Sequence, residues 1–203
     1  MTSPTSSNLS RRGLLSSAAA LLVLTPLPAL ALTDAAARKL VDGIVADINR
    51  VIASGTSLPS MISSFEKIFS KYSDVSIIAQ TVLGPDARRA SPAQMKAYIS
   101  AFQGYIARKY GKRFQEFVGG RIEVQGTRQV KSWQEVITTA YLKGQKPFEV
   151  RFLVSDRSGR DLFFDMVIEG ISLRNSERTE IGAMLDRNRG SIDGLIADLK
   201  KSG

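Results

Sequence analysis

The stretch FFDMVIEGISLRNSER, Phe163 to Arg178, carries two carboxylates, Asp165 and Glu169, on an alternating apolar run that breaks at Gly170 into a hydroxyl-bearing turn. A carboxylate held among apolar side chains is the raw material of a general base with a raised pKa. Such a base works with partners, and the 203-residue chain contains neither histidine nor cysteine. Serine, cysteine and histidine triads and His or Cys metal sites are thereby excluded, leaving carboxylate or lysine chemistry. An enzyme acting on a small apolar substrate through Asp165 or Glu169 is one reading. The other is structural. Phe148, Val150, Phe152 and Val154 alternate with Glu149 and Arg151, and Phe164, Met166 and Ile168 alternate with Asp165 and Glu169. One strand face is then apolar and the other charged, and cross-strand pairing with Arg151 accounts for both carboxylates.

The elements that position these residues fall into helical ends around a central run of period two. Leu40, Val41, Ile44, Val45, Ile48, Val51 and Ile52 recur at helical spacing after Thr33 or Asp34 as N-cap, with Gly55 as the stop. Pro59 opens a second helix with an apolar stripe through Phe65, Phe69 and Tyr72, and Asp74 caps a short third that ends near Gly84. Ser91-Pro92-Ala93-Gln94 joins an N-cap, a first-turn proline and a capping-box glutamine, so a fourth helix starts there; its apolar face runs on to Phe117, with a break at Gly111. From Gly120 four strands follow, 121–130, 133–143, 147–155 and 161–169, joined by short polar turns as an antiparallel meander. Helices resume after Ser172, and Ser191 caps the last. The expected fold is α+β: N-terminal helices packed on a curved antiparallel sheet of about four strands, with closing C-terminal helices.

Residues 1–31 read as a cleaved export signal. Arg11-Arg12 precedes the apolar run Ala18 to Leu24, and Ala29-Leu30-Ala31 supplies the small residues of a signal peptidase site. The arginine pair fits a twin-arginine signal, with a general secretory signal as the competing route. Residues 32–203 then form one domain, or two interleaved subdomains, in the periplasm. The formal charge is +9; removing Arg11 and Arg12 leaves 26 bases against 19 acids, or +7. With export and no nucleic-acid motif, that charge favours an anionic membrane surface or an acidic protein partner over nucleic acid.

The block Asp165-x-x-x-Glu169-Gly170-x-Ser172-Leu173, Arg178 after it, Val82-Leu83-Gly84, and Phe102, Tyr105 and Tyr110 resemble the MlaC/toluene-tolerance family of periplasmic phospholipid carriers, from about Ala35 to Lys201. Ala87 and Leu162 stand where that family usually has an aromatic and a tryptophan. The resemblance implies no covalent chemistry, no cofactor and no metal. It implies a pocket for the acyl chains of a phospholipid, with Phe65, Phe69, Tyr72, Val82, Tyr98, Phe102, Tyr105 and Tyr110 on the helix side. Val150, Phe152, Phe164, Met166 and Ile168 stand on the sheet side. The partners it implies are an inner-membrane ABC-type lipid transport complex and an outer-membrane lipoprotein complex, in the service of outer-membrane lipid asymmetry. Arg108, Lys109, Lys112 and Arg113, in another sector of the fourth helix, are a solvated face or a docking patch; with Arg178 they are the docking and headgroup candidates. An adaptor of an envelope complex that binds no lipid is the remaining alternative. The export reading is checked by N-terminal sequencing of the protein from a bacterial periplasmic fraction: Leu32 is the expected first residue, and an intact Met1 refutes cleavage.

Overall fold

The computed structural model describes residues 32–203, so the signal segment lies outside the described residues. Helix α1 (Asp34–Ala53) is capped by Thr33, whose hydroxyl accepts from the Ala36 amide, and buries Val41, Ile44, Ile48 and Ile52 along one side. Helix α2 (Leu58–Tyr72) starts with Pro59 in its first turn and buries Met61, Phe65, Ile68 and Phe69. Helix α3 (Val75–Leu83) is capped by Asp74 and ends at Gly84 with a positive φ of 68°. Helix α4 (Pro92–Gly111) carries the reciprocal capping box of Ser91 and Gln94. No described helix is long and apolar enough to cross a membrane.

At Gly111 the fourth helix tightens into a 3₁₀ turn, Lys112–Phe117. The glycine is there for room: a Cβ at this position would lie 2.8 Å from the Ile62 Cα on α2. The tighter turn swings Phe114 beneath α2, where it meets Phe65 edge to face at 5.2 Å.

The sheet is antiparallel, in the order β1 (Arg121–Val130), β2 (Trp133–Tyr141), β3 (Phe148–Ser155), β4 (Leu162–Ile168) and β5 (Ile171–Ser172). The fifth strand is a two-residue addition to the expected four. Helices α5 (Leu173–Arg187) and α6 (Ile192–Lys201), capped by Ser172 and Ser191, complete the α+β fold. Asn49 on α1 exchanges two hydrogen bonds, both 3.0 Å, with the backbone of Ile122, which pins the helix to the edge strand.

Two expectations about β4 are corrected. Leu153 pairs with Asp165 but Val154 pairs with Phe163, so Phe164 is an extra, bulged residue. Upstream of the bulge the faces exchange. Phe163, not Phe164, shares the core face with Phe152 and Met166, and Phe164 packs on the outer face against Trp133 at 5.9 Å. The carboxylates do not pair with Arg151 either. Arg151 meets Glu135 at 3.2 Å and Glu149 at 3.0 Å. Glu169 leaves the strand altogether: with φ of 48°, followed by Gly170 at 83°, it forms the tight turn into β5.

Because α2 and α4 touch at Gly111, Gly111→Ala is expected to destabilise the protein by about 1–3 kcal/mol through overpacking. Gly126→Ala, at a β1 position with open space around it, leaves the melting temperature essentially unchanged. Equal thermal denaturation midpoints for the two variants would refute the close-approach account.

Candidate functional site

Between the core face of the sheet and the undersides of α1, α2 and the 3₁₀ turn lies a cleft of about 100 Å³. Its helix side is Ile44, Ile48, Phe65, Ile68 and Phe69, with Phe114 and Phe117 from the 3₁₀ turn. Its sheet side is Ile122 together with Phe148, Val150, Phe152, Phe163, Met166 and Ile168. The rings form a continuous arc: Phe114 meets Phe65, Phe65 stacks near Phe69 at 6.1 Å, Phe69 tilts toward Phe163 at 6.2 Å, and Phe163 meets Phe152 edge to face at 5.6 Å. Every lining side chain is Ile, Val, Phe or Met. Such a surface holds hydrocarbon by area and offers no group for acid–base work.

Of the residues expected in the pocket, the structure brings together Phe65, Phe69, Val150, Phe152, Met166 and Ile168. The others go elsewhere. Phe164 lies on the outer face because of the bulge. Val82, Tyr98, Phe102 and Tyr105 are buried in helix packing away from the cleft, where the Tyr98 hydroxyl donates to the Ala79 carbonyl at 3.2 Å. Tyr110 donates its hydroxyl to Glu177, and Tyr72 donates to Asp47 at 2.8 Å. Burial, then the nearby Glu177 charge, pushes the Tyr98 and Tyr105 phenols above their ordinary range, and burial and the Glu177 bond do so for Tyr110.

The expected basic patch on α4 is largely internal wiring. Lys109 bonds Tyr105 at 3.0 Å, Glu177 at 2.8 Å, and Glu180. Burial works against its charge, yet the bonds to Glu177 and Glu180 outweigh that and raise its pKa. Arg108 donates to the Ser202 and Leu199 carbonyls at 2.8 and 2.5 Å, and Lys112 to that of Gly203 at 2.5 Å. Arg178 lies over Gly84, with its guanidinium 3.0 Å from where a Cβ would stand. Arg113 remains an exposed cation.

The carboxylates that could have done chemistry have structural partners. Asp165 is buried and accepts from the Ser172 hydroxyl at 2.6 Å and from the amides of Met166 and Arg174 at 2.9 and 3.0 Å, with the Arg174 guanidinium at 3.8 Å. Ser172 in turn accepts from the Asn175 amide at 3.1 Å, so one carboxylate fixes the start of α5. Glu169 is exposed on its turn.

Sequence reasoning left out Phe163, Phe114, Phe117, Ile122, Phe148, Ile44, Ile48 and Ile68 as cleft residues. The helical ones were visible as members of apolar stripes. Leu162-Phe163-Phe164 shows no alternation, so local pattern does not say which ring faces inward.

Tyr72 belongs to a cluster on the outside of α1 and α2. Its hydrogen bond, opposed by partial burial and helped by Arg50 at 2.6 Å and Lys71 at 3.1 Å, lowers Asp47 from 3.8 to about 2. A carboxyl whose folded pKa is depressed contributes stability that is complete above its unfolded pKa and is lost as pH falls through the folded one. Tyr72→Phe is therefore expected to lower the melting temperature at neutral pH, with the deficit shrinking as pH falls from 3.8 toward about 2. A pH-independent deficit in thermal melts would refute this role.

Residues 38–201 match the family described as MlaC protein. A solved structure from Ralstonia solanacearum, described as a phospholipid-binding protein in complex with a phospholipid, superposes with a TM-score of 0.66 at 18% identity. The alignment covers 83% of this chain and 94% of that one, and at such identity it speaks for the fold. The family match spans most of the described residues and takes in the cleft, both of its walls and the Asp165 anchor: the chain belongs to the MlaC family.

Proposed function

We propose that the protein is a periplasmic phospholipid carrier that takes up acyl chains in the cleft between α2 and the sheet and shuttles lipid between inner- and outer-membrane complexes. The observation that carries this reading is a cleft walled on both sides by aliphatic and aromatic side chains alone. Family membership and the phospholipid in the Ralstonia relative support the same ligand class. The enzymatic alternative is not favoured by any observation, since Asp165 anchors α5 and Glu169 faces solvent in a turn.

The driving force is large. At about 0.8 kcal/mol per CH₂, an acyl chain of about 16 carbons costs roughly 12 kcal/mol to expose to water, so free diffusion between membranes is negligible. A water-sized group needs about 10–15 Å³ of cavity space. The cleft of about 100 Å³ thus takes only part of one chain as it stands, and loading requires its walls to part. The mobile wall is α2. Among the described residues no side-chain hydrogen bond joins α2 to the sheet, and ring contacts hold that seam. Parting these rings costs no side-chain hydrogen bond between α2 and the sheet, and the incoming chain replaces the lost contacts; the Asp74 amide, bonded to the Phe163 carbonyl at 2.8 Å just past α2, is the hinge end of that seam. The positive charge of the protein draws it to acidic docking surfaces, which governs the rate of encounter more than the strength of lipid binding.

Protein purified from a bacterial host is expected to carry phospholipid in near-stoichiometric amount by solvent extraction and native mass spectrometry. Val150→Asp places a carboxylate against the cleft at a cost of several kcal/mol if it stays unpaired, and is expected to yield a folded protein without lipid. Phe164→Ser, on the outer face, keeps its lipid. Lipid-free wild-type protein, or loss of lipid from the Phe164 variant but not the Val150 variant, would overturn the assignment.

A further inference from the structure

The outer face of the sheet holds a second hollow, on the opposite side from the cleft. It has a volume of about 390 Å³ and lies where the β1–β2 turn, the β3–β4 turn and the start of α3 converge. Trp133, Leu153, Leu162 and Phe164 supply its apolar surface, with the Trp133 and Phe164 rings edge to face. Farther along the same face the side chains form ion pairs, Glu135 with Arg128 and Arg151. A cluster of large apolar residues here is therefore out of pattern, and the bulge that turned Phe164 outward contributes to it.

The polar groups around the hollow converge. Arg157 is held at the rim by a 3.0 Å bond to the Ser132 hydroxyl. Arg174 lies over the Phe164 ring, 5.4 Å from its centre. The Arg174 Nε sits 3.8 Å from Asp165, beyond hydrogen-bond reach, and has no acceptor among the described residues; the Trp133 indole nitrogen has none either. Two carboxylates stand nearby, and each is engaged: Asp74 caps α3 through the Ile77 amide at 3.1 Å, and Asp165 accepts from Ser172 and two backbone amides. A concave aromatic floor of this volume, rimmed by a few convergent donors, has the make-up of a small-molecule site.

We infer that this hollow binds a small amphiphilic anion, with its flat or short apolar part on Trp133 and Phe164 and its phosphate or carboxylate between Arg157 and Arg174. Planar guanidinium groups suit either oxyanion. The site is independent of the acyl-chain cleft, because β3 and β4 present opposite faces to the two.

Trp133 is the single tryptophan of the chain, so its fluorescence reports on this site. Phenyl phosphate is the probe, titrated into the purified protein as isolated and after delipidation. Saturable change in Trp133 emission with the same affinity in both preparations is expected, and phenol, benzylamine and inorganic phosphate are each expected to bind about tenfold more weakly or worse, the worth of a missing charge-assisted bond or of the missing ring. Arg157→Ala, at an exposed turn, is expected to weaken phenyl phosphate about tenfold without changing the melting temperature. Arg174→Lys, which keeps the charge near Asp165 but loses the fork, weakens it as well. No saturable response to phenyl phosphate overturns the inference. So does equal affinity for phenol or benzylamine, unchanged affinity in the Arg157 variant, or binding seen only after delipidation, which would place the probe in the acyl-chain cleft.

Discussion

One extra residue in β4 sets the layout of both faces of the sheet. If Leu162 to Ile168 alternated without interruption, Phe164, Met166 and Ile168 would share the core face, and Phe163 would look outward. The register shift between Leu153 and Val154 reverses this upstream of Asp165. It delivers Phe163 to the ring arc of the cleft and Phe164 to Trp133 on the other side. Asp165 stands at the turning point, on the outer face, where it is close enough to take the Ser172 hydroxyl and the Arg174 amide in the first turn of α5. A bulge also bends its strand and increases the local right-handed twist. The cleft, the placement of α5 and the outer hollow all trace to this position.

Charge and hydrocarbon have separate duties in the frame that results. Glu177 is almost fully buried and takes bonds from Lys109 and Tyr110, which ties α5 to α4. Removing one partner of a buried ion pair costs about 3–5 kcal/mol because the other charge is stranded. The Phe69–Phe163 contact between α2 and the sheet is of a kind worth about 0.5–1.5 kcal/mol beyond its area. The α4–α5 joint is thus stronger than the Phe69–Phe163 ring contact over the cleft.

What could be read from sequence was what is local. The caps Asp74, Ser91 and Ser191, and Thr33 of the pair Thr33 or Asp34, stand within three residues of the amides they serve, and the structure has each of them; Ser172 reads from sequence only as the point where helix resumes, and it too proves to be a cap. The break at Gly111 was visible as a glycine in a helical pattern, though its cause, the approach of Ile62, was not. The cleft was partly legible: the stripe of α2 and the alternation of β3 and β4 named six of its fourteen residues. What failed was non-local. Tyr72, Tyr105 and Tyr110 lie on apolar stripes, but their hydroxyls find charged partners, at Asp47 and in the Lys109–Glu177 cluster, that no local period foretells. The α4 cations failed in the same way, because Lys109, Arg108 and Lys112 meet partners 68 or more residues along the chain.

The block that first suggested chemistry is better understood as mechanics. Glu169-Gly170 makes the turn, Ser172 caps α5, Asp165 holds that cap, and Arg178 one turn later lies over Gly84 at the end of α3. Each of these contacts ties α5 to β4 or α3, and Lys109 ties its middle to α4. Strand β4 is therefore braced from its outer side by charged and hydrogen-bonded groups, while its inner side meets α2 through rings and is pinned just past the helix end, where the Asp74 amide donates to the Phe163 carbonyl at 2.8 Å. The polar residues around Asp165 thus serve the apolar cleft by holding β4, part of its sheet wall, from the outer side.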